Sequence, residues 1–440
     1  MSVAVAAHLS GRIIRGKSVP PVTAAIVGTS SWSSRSLCNL HRMRQIRHSS
    51  MKRSATVQYS ILTTGCLLVA SLFSIGGQPS ANASSSSGTM VPEILVRAGT
   101  TGDVYALLES ATVPGRNVVE QSKEGDKSFR PMGSLPLKKG IAVDGPLVQQ
   151  LLFANESDGV AVGQAVTTSE GMASPLFETH DGGRTWTTQE LSPTTQVREM
   201  ASTPDYWYAI TSQCPTDSVE CSQYRLERAP VATMRWTTLT IPPPLAPYGS
   251  VMNVTAYGSD VWLSAMDQVS KPFLSYIAIS RDFGKSFSVS VHPILNSVTA
   301  CGVEAMSYEV VWAICDEGMM SGQIPYSDDG GNQWFVKAST FKDQNYILSM
   351  FGFGSFDPVN DAIAFAVDGD HPTRLYRISN GFTPPEIVGS IPNGNRQSTT
   401  ALCFVNEHVG FLLTDGEGNV PTMSLLYTLD GGGHWSRDWI

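Results

Sequence analysis

The residues of this sequence that could do chemistry together are acidic side chains in short polar segments. They are Glu170, Asp316, Glu317, Asp368, Asp370, Asp415 and Glu417. If the fold brings these carboxylates together, they attract a divalent cation or a basic segment of another protein. The segments DGDH at 368–371 and DGEGN at 415–419 place oxygen ligands at alternate positions, although neither completes a calcium loop. We treat these acids as candidate binding residues, expect no cofactor, and keep a divalent cation as the alternative.

Motifs for nucleophilic, metal-assisted or phosphate chemistry do not occur in the sequence. It contains no HExxH, no GxSxG and no glycine-rich phosphate loop. The five histidines after residue 83 are scattered along the chain, and two of them lie within predicted turns. We therefore assign no catalytic residue and no metal ligand.

Four segments share one spacing of turn and aromatic residues, and we call them the box turns. Each has Ser or Thr, then Asp two residues later, Gly two residues after the Asp, and Trp or Phe three residues after the Gly. The last three positions are Asp181, Gly183 and Trp186; Asp282, Gly284 and Phe287; Asp329, Gly331 and Trp334; and Asp430, Gly432 and Trp435. The carboxylate can accept hydrogen bonds from turn N–H groups, the glycine can adopt positive φ, and the aromatic ring can pack on a sheet. The box turns are therefore predicted to be structural, not catalytic.

The box turns resemble the Asp-box repeat, S/T-x-D-x-G-x-x-W/F, of the BNR and sialidase-like β-propeller family. A motif F-x-N-x-x-x-G before two of the box turns is similar to one in plant and cyanobacterial photosystem II assembly factors, which are BNR-type propellers. It consists of Phe153, Asn155 and Gly159, and of Phe404, Asn406 and Gly410. The resemblance implies that each box turn joins the third and fourth strands of a blade, away from the binding face. The acidic candidates then lie in loops between second and third strands, on the opposite face.

The spacing of the box turns predicts the number of blades. Their aromatic residues are separated by 101, 47 and 101 residues, so the repeating unit is about 50 residues long and two units lack a clear box. Trp236 and the pair Asn380-Gly381 fill the two gaps, and a decayed box at 122–129 adds a unit upstream. The predicted fold is all-β: a single seven-bladed β-propeller of four-stranded antiparallel blades over residues 84–440, preceded by a disordered and signal segment. We expect blade 7 to close on blade 1 by packing, without a shared strand.

The first 83 residues differ in charge from the remainder. They contain nine basic residues and no acidic one, whereas residues 84–440 carry a net charge of about −17. Residues 51–83 are predicted to be a signal peptide cleaved after Ala83, because an apolar run at 59–75 follows Lys52 and Arg53. Uncleaved, residues 59–75 would be a membrane anchor. Residues 1–50 are a disordered basic extension, or else the start is mis-assigned and translation begins at Met51. Residues 1–83 together could instead be an organelle transit peptide.

The cysteines after residue 83 predict two disulfides. Cys301 and Cys315 lie symmetrically about Tyr308, which places them opposite each other in a hairpin, and Cys214 and Cys221 bracket a short loop. Cys403 is expected to be a buried free thiol. Two disulfides indicate an oxidising compartment, so the chain is expected to be secreted or in the periplasm or cell envelope, or in an organelle lumen if the start is a transit peptide.

An enzyme of the resembled family would need further residues. A sialidase binds the substrate carboxylate with an arginine cluster and uses a Tyr nucleophile with a Glu. No complete arginine triad can be assigned here. Xyloglucanase-type enzymes use two carboxylates between two propellers, and this chain has room for one propeller.

We therefore expect an exported, non-enzymatic propeller that binds a protein or an envelope polysaccharide through the loop face opposite the box turns. A sialidase-like or xyloglucanase-like glycoside hydrolase acting on extracellular glycans is the alternative. The acidic domain is not expected to bind nucleic acid, because it would repel phosphates. We expect a monomer that meets the membrane only through an uncleaved signal segment.

Overall fold

The chain forms four-stranded antiparallel sheets one after another, each from a contiguous stretch of sequence. The coordinates are a computed structural model, and all of the residues it describes belong to one unit, Ser87–Ile440. The described residues are 94–98, 103–109, 117–123, 126, 128–136, 148–189, 191–214, 221–242, 245, 251–267, 274–291, 300–318, 321–339, 353–368, 373–380, 385–392, 399–414 and 424–438. The predicted extension at 1–50 and signal peptide at 51–83 lie outside them.

Blades 1 to 4 occupy the first half of the ring. Blade 1 has β1 (Ile94–Ala98), β2 (Asp103–Glu109), β3 (Asn117–Ser122) and β4 (Arg130–Ser134). Blade 2 has β5 (Val148–Phe153), β6 (Gly159–Gly163), β9 (Leu176–Thr179) and β10 (Thr187–Gln189), with the hairpin β7 (Val166–Thr167) and β8 (Met172–Ala173) between its second and third strands. Blade 3 has β11 (Thr195–Ser202), β12 (Tyr206–Gln213), β13 (Ser222–Pro230) and β14 (Thr237–Leu239). Blade 4 has β15 (Val251–Tyr257), β16 (Asp260–Asp267), β17 (Leu274–Ser280) and β18 (Ser288–Val291).

Blades 5 to 7 repeat the same plan. Blade 5 has β19 (Ala300–Ala305), β20 (Val311–Gly318), β21 (Ser321–Ser327) and β22 (Phe335–Ser339). Blade 6 has β23 (Phe353–Pro358), β24 (Ile363–Asp368), β25 (Arg374–Ser379) and β26 (Glu386–Ser390). Blade 7 has β27 (Thr399–Phe404), β28 (Gly410–Thr414), β29 (Ser424–Thr428) and β30 (Ser436–Asp438). The predicted seven-bladed all-β propeller is confirmed.

Strand position within a blade explains the sequence of each strand. A second strand is covered by neighbouring blades on both faces, so it is apolar or small throughout: GVAVG in β6 and GFLLT in β28 are buried at every residue. A fourth strand lies at the rim and is largely exposed, as TTL in β14 shows. The alternation predicted for half-buried strands therefore holds mainly away from the second strands.

Seven hydrophobic clusters hold the described residues of the ring together, and each lies between two neighbouring blades. The cluster that joins the two ends of the chain combines Val104 and Ala106 of blade 1 with Phe411, Leu413 and Leu425 of blade 7. Among the described residues, no strand of one end enters the sheet of the other, since blade 1 is β1–β4 and blade 7 is β27–β30. Apolar side chains pack between these two blades, which agrees with the closure that the sequence predicts.

The four box turns have one hydrogen-bonding geometry. In the first, Asp181 Oδ1 accepts the Thr185 N–H (2.8 Å) and the Thr179 hydroxyl (2.8 Å), while Thr179 Oγ1 accepts the Gly183 N–H (2.9 Å). Gly183 has φ +86°, a conformation that suits glycine. The side chains of Ser286 and His434, together with their backbone N–H groups, hydrogen-bond the carboxylates of Asp282 and Asp430 and lower the pKa of each to about 2. The box carboxylates are thus committed to the turns.

The described residues at the two predicted gaps and at the decayed box make other hydrogen bonds. In blade 3, the N–H groups of Thr233 and Met234 both donate to the Pro230 carbonyl, and Met234 has φ +49°. In blade 6, the Asn380 side-chain amide donates to the Asp361 carbonyl (3.2 Å). In blade 1, the Ser122 hydroxyl donates to the Asp126 carbonyl within the decayed box.

The predicted disulfides are both present. Cys301 is bonded to Cys315 across β19 and β20, and Cys214 is bonded to Cys221. Cys403 is buried and forms no disulfide with the other described cysteines. The hairpin of Cys301 and Cys315 turns at residues 306–310, as the symmetry of the sequence indicated. The β7–β8 hairpin, by contrast, was not expected, since the sequence there was interpreted as a loop.

The fourth strand of one blade presses against the box turn of the next. A Cβ atom added to Gly389 in β26 would lie 2.1 Å from the carbonyl oxygen of Gly432, and one added to Gly133 in β4 would lie 2.3 Å from that of Gly183. Backbone atoms cannot move aside as a side chain can. Glycine at these two positions therefore permits the close approach of neighbouring blades.

The substitution Gly389→Ala is expected to lower the free energy of unfolding by about 1–3 kcal/mol, because the added methyl group forces blades 6 and 7 apart. Gly302→Ala is the matched control, since its added Cβ would meet only Ile314 at 3.5 Å, an ordinary contact. Denaturant unfolding of both variants measures the difference. Equal stability of the two variants would contradict the proposed contact.

Candidate functional site

The loops that carry the predicted acidic residues leave the ring on one face. Second strands run in the same direction in every blade, and Asp316 and Glu317 lie at the end of β20 while Asp368 ends β24. These ends are on the face opposite the box turns, because a box turn follows the antiparallel third strand. The topology thus brings these three residues to the face that the sequence predicted.

The remaining acidic candidates differ in what can be said of them. Glu170 is exposed in a turn between β7 and β8, where the Thr168 hydroxyl oxygen accepts the N–H groups of Glu170 (3.1 Å) and Gly171 (3.0 Å). Asp370, Asp415 and Glu417 lie outside the described residues. Among the residues that the structure describes, no group of three His, Cys, Asp or Glu could hold a metal ion. A divalent cation therefore stays a prediction of the sequence.

A cavity of about 980 Å³ lies along the axis of the ring. It is lined by the first strands of blades 2 to 7 and by the turns that follow them on the box-turn face. Three carboxylic acids line it: Glu199 on β11, Glu304 on β19 and Asp357 on β23. The described lining residues include no Lys, Arg or His. The part of the lining that the structure describes is therefore acidic.

Glu199 has the most unusual environment of these acids. Burial raises the pKa of its carboxyl to about 7, while hydrogen bonds from the Gln150 side chain and the Met200 backbone oppose the rise. It lies at a β-bulge between Val197 and Glu199, where β11 shifts register against β12. Its ionisation state therefore changes near neutral pH.

The other polar lining residues connect neighbouring blades. The Asp357 carboxylate accepts the Phe404 N–H of blade 7. The Thr255 hydroxyl oxygen accepts the Ala305 N–H of blade 5 at 3.2 Å. Asn253 Oδ1 similarly accepts the Val303 N–H at 2.9 Å. These bonds satisfy backbone groups that first strands, as inner edges of their sheets, cannot pair within their own blade.

Sequence reasoning did not single out Glu199, Glu304 or Asp357. A recurring polar residue was an available signal for two of them. Thr255, Glu304 and Asp357 lie near the ends of successive first strands, 49 and 53 residues apart. Glu199 has no such signal, because the residues at the same bulge of other first strands, Gln150, Asn253 and Ala401, are not acidic.

Further properties of the described residues bear on membrane contact. No helix of theirs is long and apolar enough to cross a bilayer. Among the large apolar side chains exposed on the box-turn face are Tyr308 (51%) and Leu429 (48%).

Comparison with known proteins shows similarity at the level of the fold. No protein-family profile matches the sequence, and no curated protein is significantly similar to it. The β-propeller domain of the Trilobed protease from Pyrococcus furiosus, described as having an open velcro topology, has a TM-score of 0.50 at 9% identity, over 80% of this chain and 97% of that one. YCF48 from Cyanidioschyzon merolae has a TM-score of 0.46 at 15% identity, over 66% and 85% of the two chains. YCF48 bound to D1 peptide has a TM-score of 0.44 at 13% identity, over 66% and 82%.

Proposed function

We propose that this chain is an exported, non-enzymatic β-propeller of the BNR type that binds a protein or a cell-envelope component through the loops opposite the box turns. The observation that supports this most directly is the common placement of Asp316, Glu317 and Asp368 at one face by parallel second strands. A rigid ring presents such loops together, and acidic loops attract a basic partner surface.

Two further observations support the same function. The described lining residues of the central cavity contain no arginine, which a sialidase would need to bind its substrate carboxylate. The two disulfides support an oxidising compartment outside the cytosol. The box carboxylates are engaged in their turns and are not available for chemistry.

The test is a comparison of captured partners between two charge-matched variants. The triple variant Asp316→Asn, Asp368→Asn and Asp415→Asn removes acids from the proposed binding face. The control variant Asp205→Asn, Asp328→Asn and Asp361→Asn removes three exposed acids from the box-turn face. We expect a partner that the wild type and the control capture from envelope extract, and that the first variant captures at least tenfold less. Equal capture by both variants would overturn the assignment of the face.

Glycoside hydrolysis is a second candidate, because the cavity contains three carboxylic acids and burial raises the pKa of Glu199 to about 7. A protonated carboxyl beside an ionised one is the usual pair in such enzymes. In this case Glu199 would be the acid, and Asp357 or Glu304 the second carboxylate. Release of a chromophore from a panel of aryl glycosides, abolished in Glu199→Gln, would establish the enzyme. No release by the wild type would exclude hydrolysis of those glycosides.

A further inference from the structure

The mouth of the central cavity on the box-turn face carries a pair of exposed aromatic rings. Tyr257 follows Ala256 at the end of β15 and lines the cavity, and Tyr308 is in the equivalent turn of blade 5. Their exposed fractions are 37% and 51%. The rings meet edge to face, with centroids 5.1 Å apart and planes at 86°. Two tyrosines from neighbouring blades thus form one aromatic surface beside the cavity.

The backbone of blade 4 positions this pair. Gly258 has φ +56°, and a Cβ atom there would lie 2.0 Å from the hydroxyl oxygen of Tyr308. Tyr308 therefore lies across the turn of blade 4 in space that any other residue at position 258 would occupy. The arrangement is preformed, so a ligand would not have to order the two rings.

Other aromatic rings near this face are already paired with cations of the chain itself. The Arg228 guanidinium lies 4.6 Å from the centre of the Tyr206 ring, and the Arg281 guanidinium lies 5.4 Å from that of Trp262. Within the part of the chain that the structure describes, no cationic group lies over Tyr257 or Tyr308. The Arg281 guanidinium also donates to the Tyr308 carbonyl at 3.4 Å, but its charge is paired with Asp260. The two tyrosines therefore differ from their neighbours in having no described cation over their rings.

The charge around the pair favours a cation. Glu304 lies on β19 four residues before Tyr308, and both Glu304 and Tyr257 line the cavity. The cavity has no cationic side chain among its described lining residues. An acidic lining attracts a cation, and exposed tyrosine rings beside it can contact that cation through their faces.

We propose that this mouth, formed by Tyr257, Tyr308 and Glu304, binds a lysine or arginine side chain presented by a segment of a partner protein. It is a second binding surface, on the face opposite the acidic loops, and it does not depend on them. The tyrosine rings supply cation–π attraction, and the carboxylates of the cavity supply charge complementarity.

The test uses fluorescein-labelled hexalysine and hexaarginine with the purified full-length protein, followed by fluorescence anisotropy at low ionic strength. Tyr257→Leu and Tyr308→Leu are each expected to weaken binding about 5- to 20-fold, because they keep an apolar side chain but remove the π surface. Tyr257→Phe keeps that surface and is expected to bind within about twofold of the wild type. Glu304→Gln is expected to weaken binding by a similar factor to the leucine variants and to reduce its dependence on salt.

Charge-matched variants outside both proposed surfaces separate this proposal from general attraction of basic peptides to an acidic protein. Asp126→Asn and Glu386→Gln remove exposed acids of blades 1 and 6, and they are expected to leave hexalysine binding at low peptide concentration unchanged. If they weaken it as much as the leucine variants do, or if the leucine variants bind like the wild type, the proposal is wrong. Thermal unfolding of each variant shows whether the ring is intact. If a leucine variant fails to fold, the dissociation constants of Tyr257→Phe and Glu304→Gln are compared instead. Weaker binding by Glu304→Gln than by Tyr257→Phe supports the proposal, and equal binding by the two variants contradicts it.

Discussion

Replacing Trp334 by alanine is expected to lower the free energy of unfolding by about 3–5 kcal/mol, the largest loss we expect from a single box-turn substitution. Trp334 is 2% exposed and packs in the cluster between blades 4 and 5 with Trp262, Ile279 and Val311. Its Nε1 donates to the Gly331 carbonyl at 3.0 Å. The substitution therefore leaves a cavity at a blade interface and removes a buried hydrogen bond.

Trp435→Ala is the matched control, since Trp435 has the equivalent position in the box turn of blade 7. It is only half-buried, and its Nε1 has no hydrogen-bond partner. We expect a loss of about 1–2 kcal/mol, because less apolar surface returns to water. Urea unfolding of both variants, followed by tryptophan fluorescence and circular dichroism, measures the difference. A loss for Trp334→Ala no greater than for Trp435→Ala would mean that burial does not set the contribution of the box aromatic.

The second large effect concerns Glu199 and depends on pH. Because burial raises the pKa of Glu199 to about 7 in the folded protein, the folded state holds its proton more tightly than the unfolded chain does. The resulting stabilisation is complete below the ordinary glutamate pKa and is lost as the pH rises through about 7. Wild-type stability should therefore fall between pH 5 and pH 8, by up to roughly 3 kcal/mol at 1.36 kcal/mol per pKa unit.

The variant Glu199→Gln keeps the shape of the side chain but has no proton to lose. We expect it to be more stable than the wild type at pH 8, by about 1–3 kcal/mol, and nearly equal to it at pH 4.5. Thermal midpoints measured at half-unit steps of pH would show the two curves separating as the pH rises. Glu170→Gln, at an exposed turn, is the control and should follow the wild type throughout. Parallel curves for wild type and Glu199→Gln would contradict a raised pKa.

Another buried acid lies at the closure of the ring. Glu120 pairs with Ala106 across β2 and β3, and Ala106 faces blade 7. Burial raises the pKa of Glu120, and its Oε2 has no hydrogen-bond partner. Glu120 therefore adds to the fall in the free energy of unfolding as the pH rises. For this reason the stability of Glu199→Gln should be compared with that of the wild type at the same pH, not across pH values.

The blade count followed from the sequence because the box turn is a local structure. Its Ser or Thr, Asp and Gly form hydrogen bonds to residues two to four positions away. A turn with this geometry therefore requires the same residue types at the same spacing, and the sequence shows them directly. The hairpin disulfide was predictable for the same reason, since Cys301 and Cys315 face each other in one hairpin. The gaps of 101 residues then required blades whose turns use other chemistry, and blade 3 has such a turn, in which Thr233 and Met234 donate to the Pro230 carbonyl.

The acidic loops were predictable only in part. The repeat alone placed Asp316, Glu317 and Asp368 at the ends of second strands, because the order of strands within a blade is fixed by the box turn. Whether those carboxylates act together depends on partner contacts, which the sequence does not encode in any local pattern. The β7–β8 hairpin near Glu170 was missed because each of its strands is only two residues long.

By itself, the sequence determined the fold class, the number of blades, the strand order and the disulfides, since each rests on residues close together in the chain. Tertiary structure alone decided what lines the cavity and its mouth. Glu199, Glu304 and Asp357 come from three blades, and their meeting depends on ring closure and on bulges that change which side of a strand faces inward. Tyr257 and Tyr308 likewise come together only because Gly258 leaves space between two blades. The acidic candidates are thus a property of the loops, whereas the cavity acids and the tyrosine pair are properties of the closed ring.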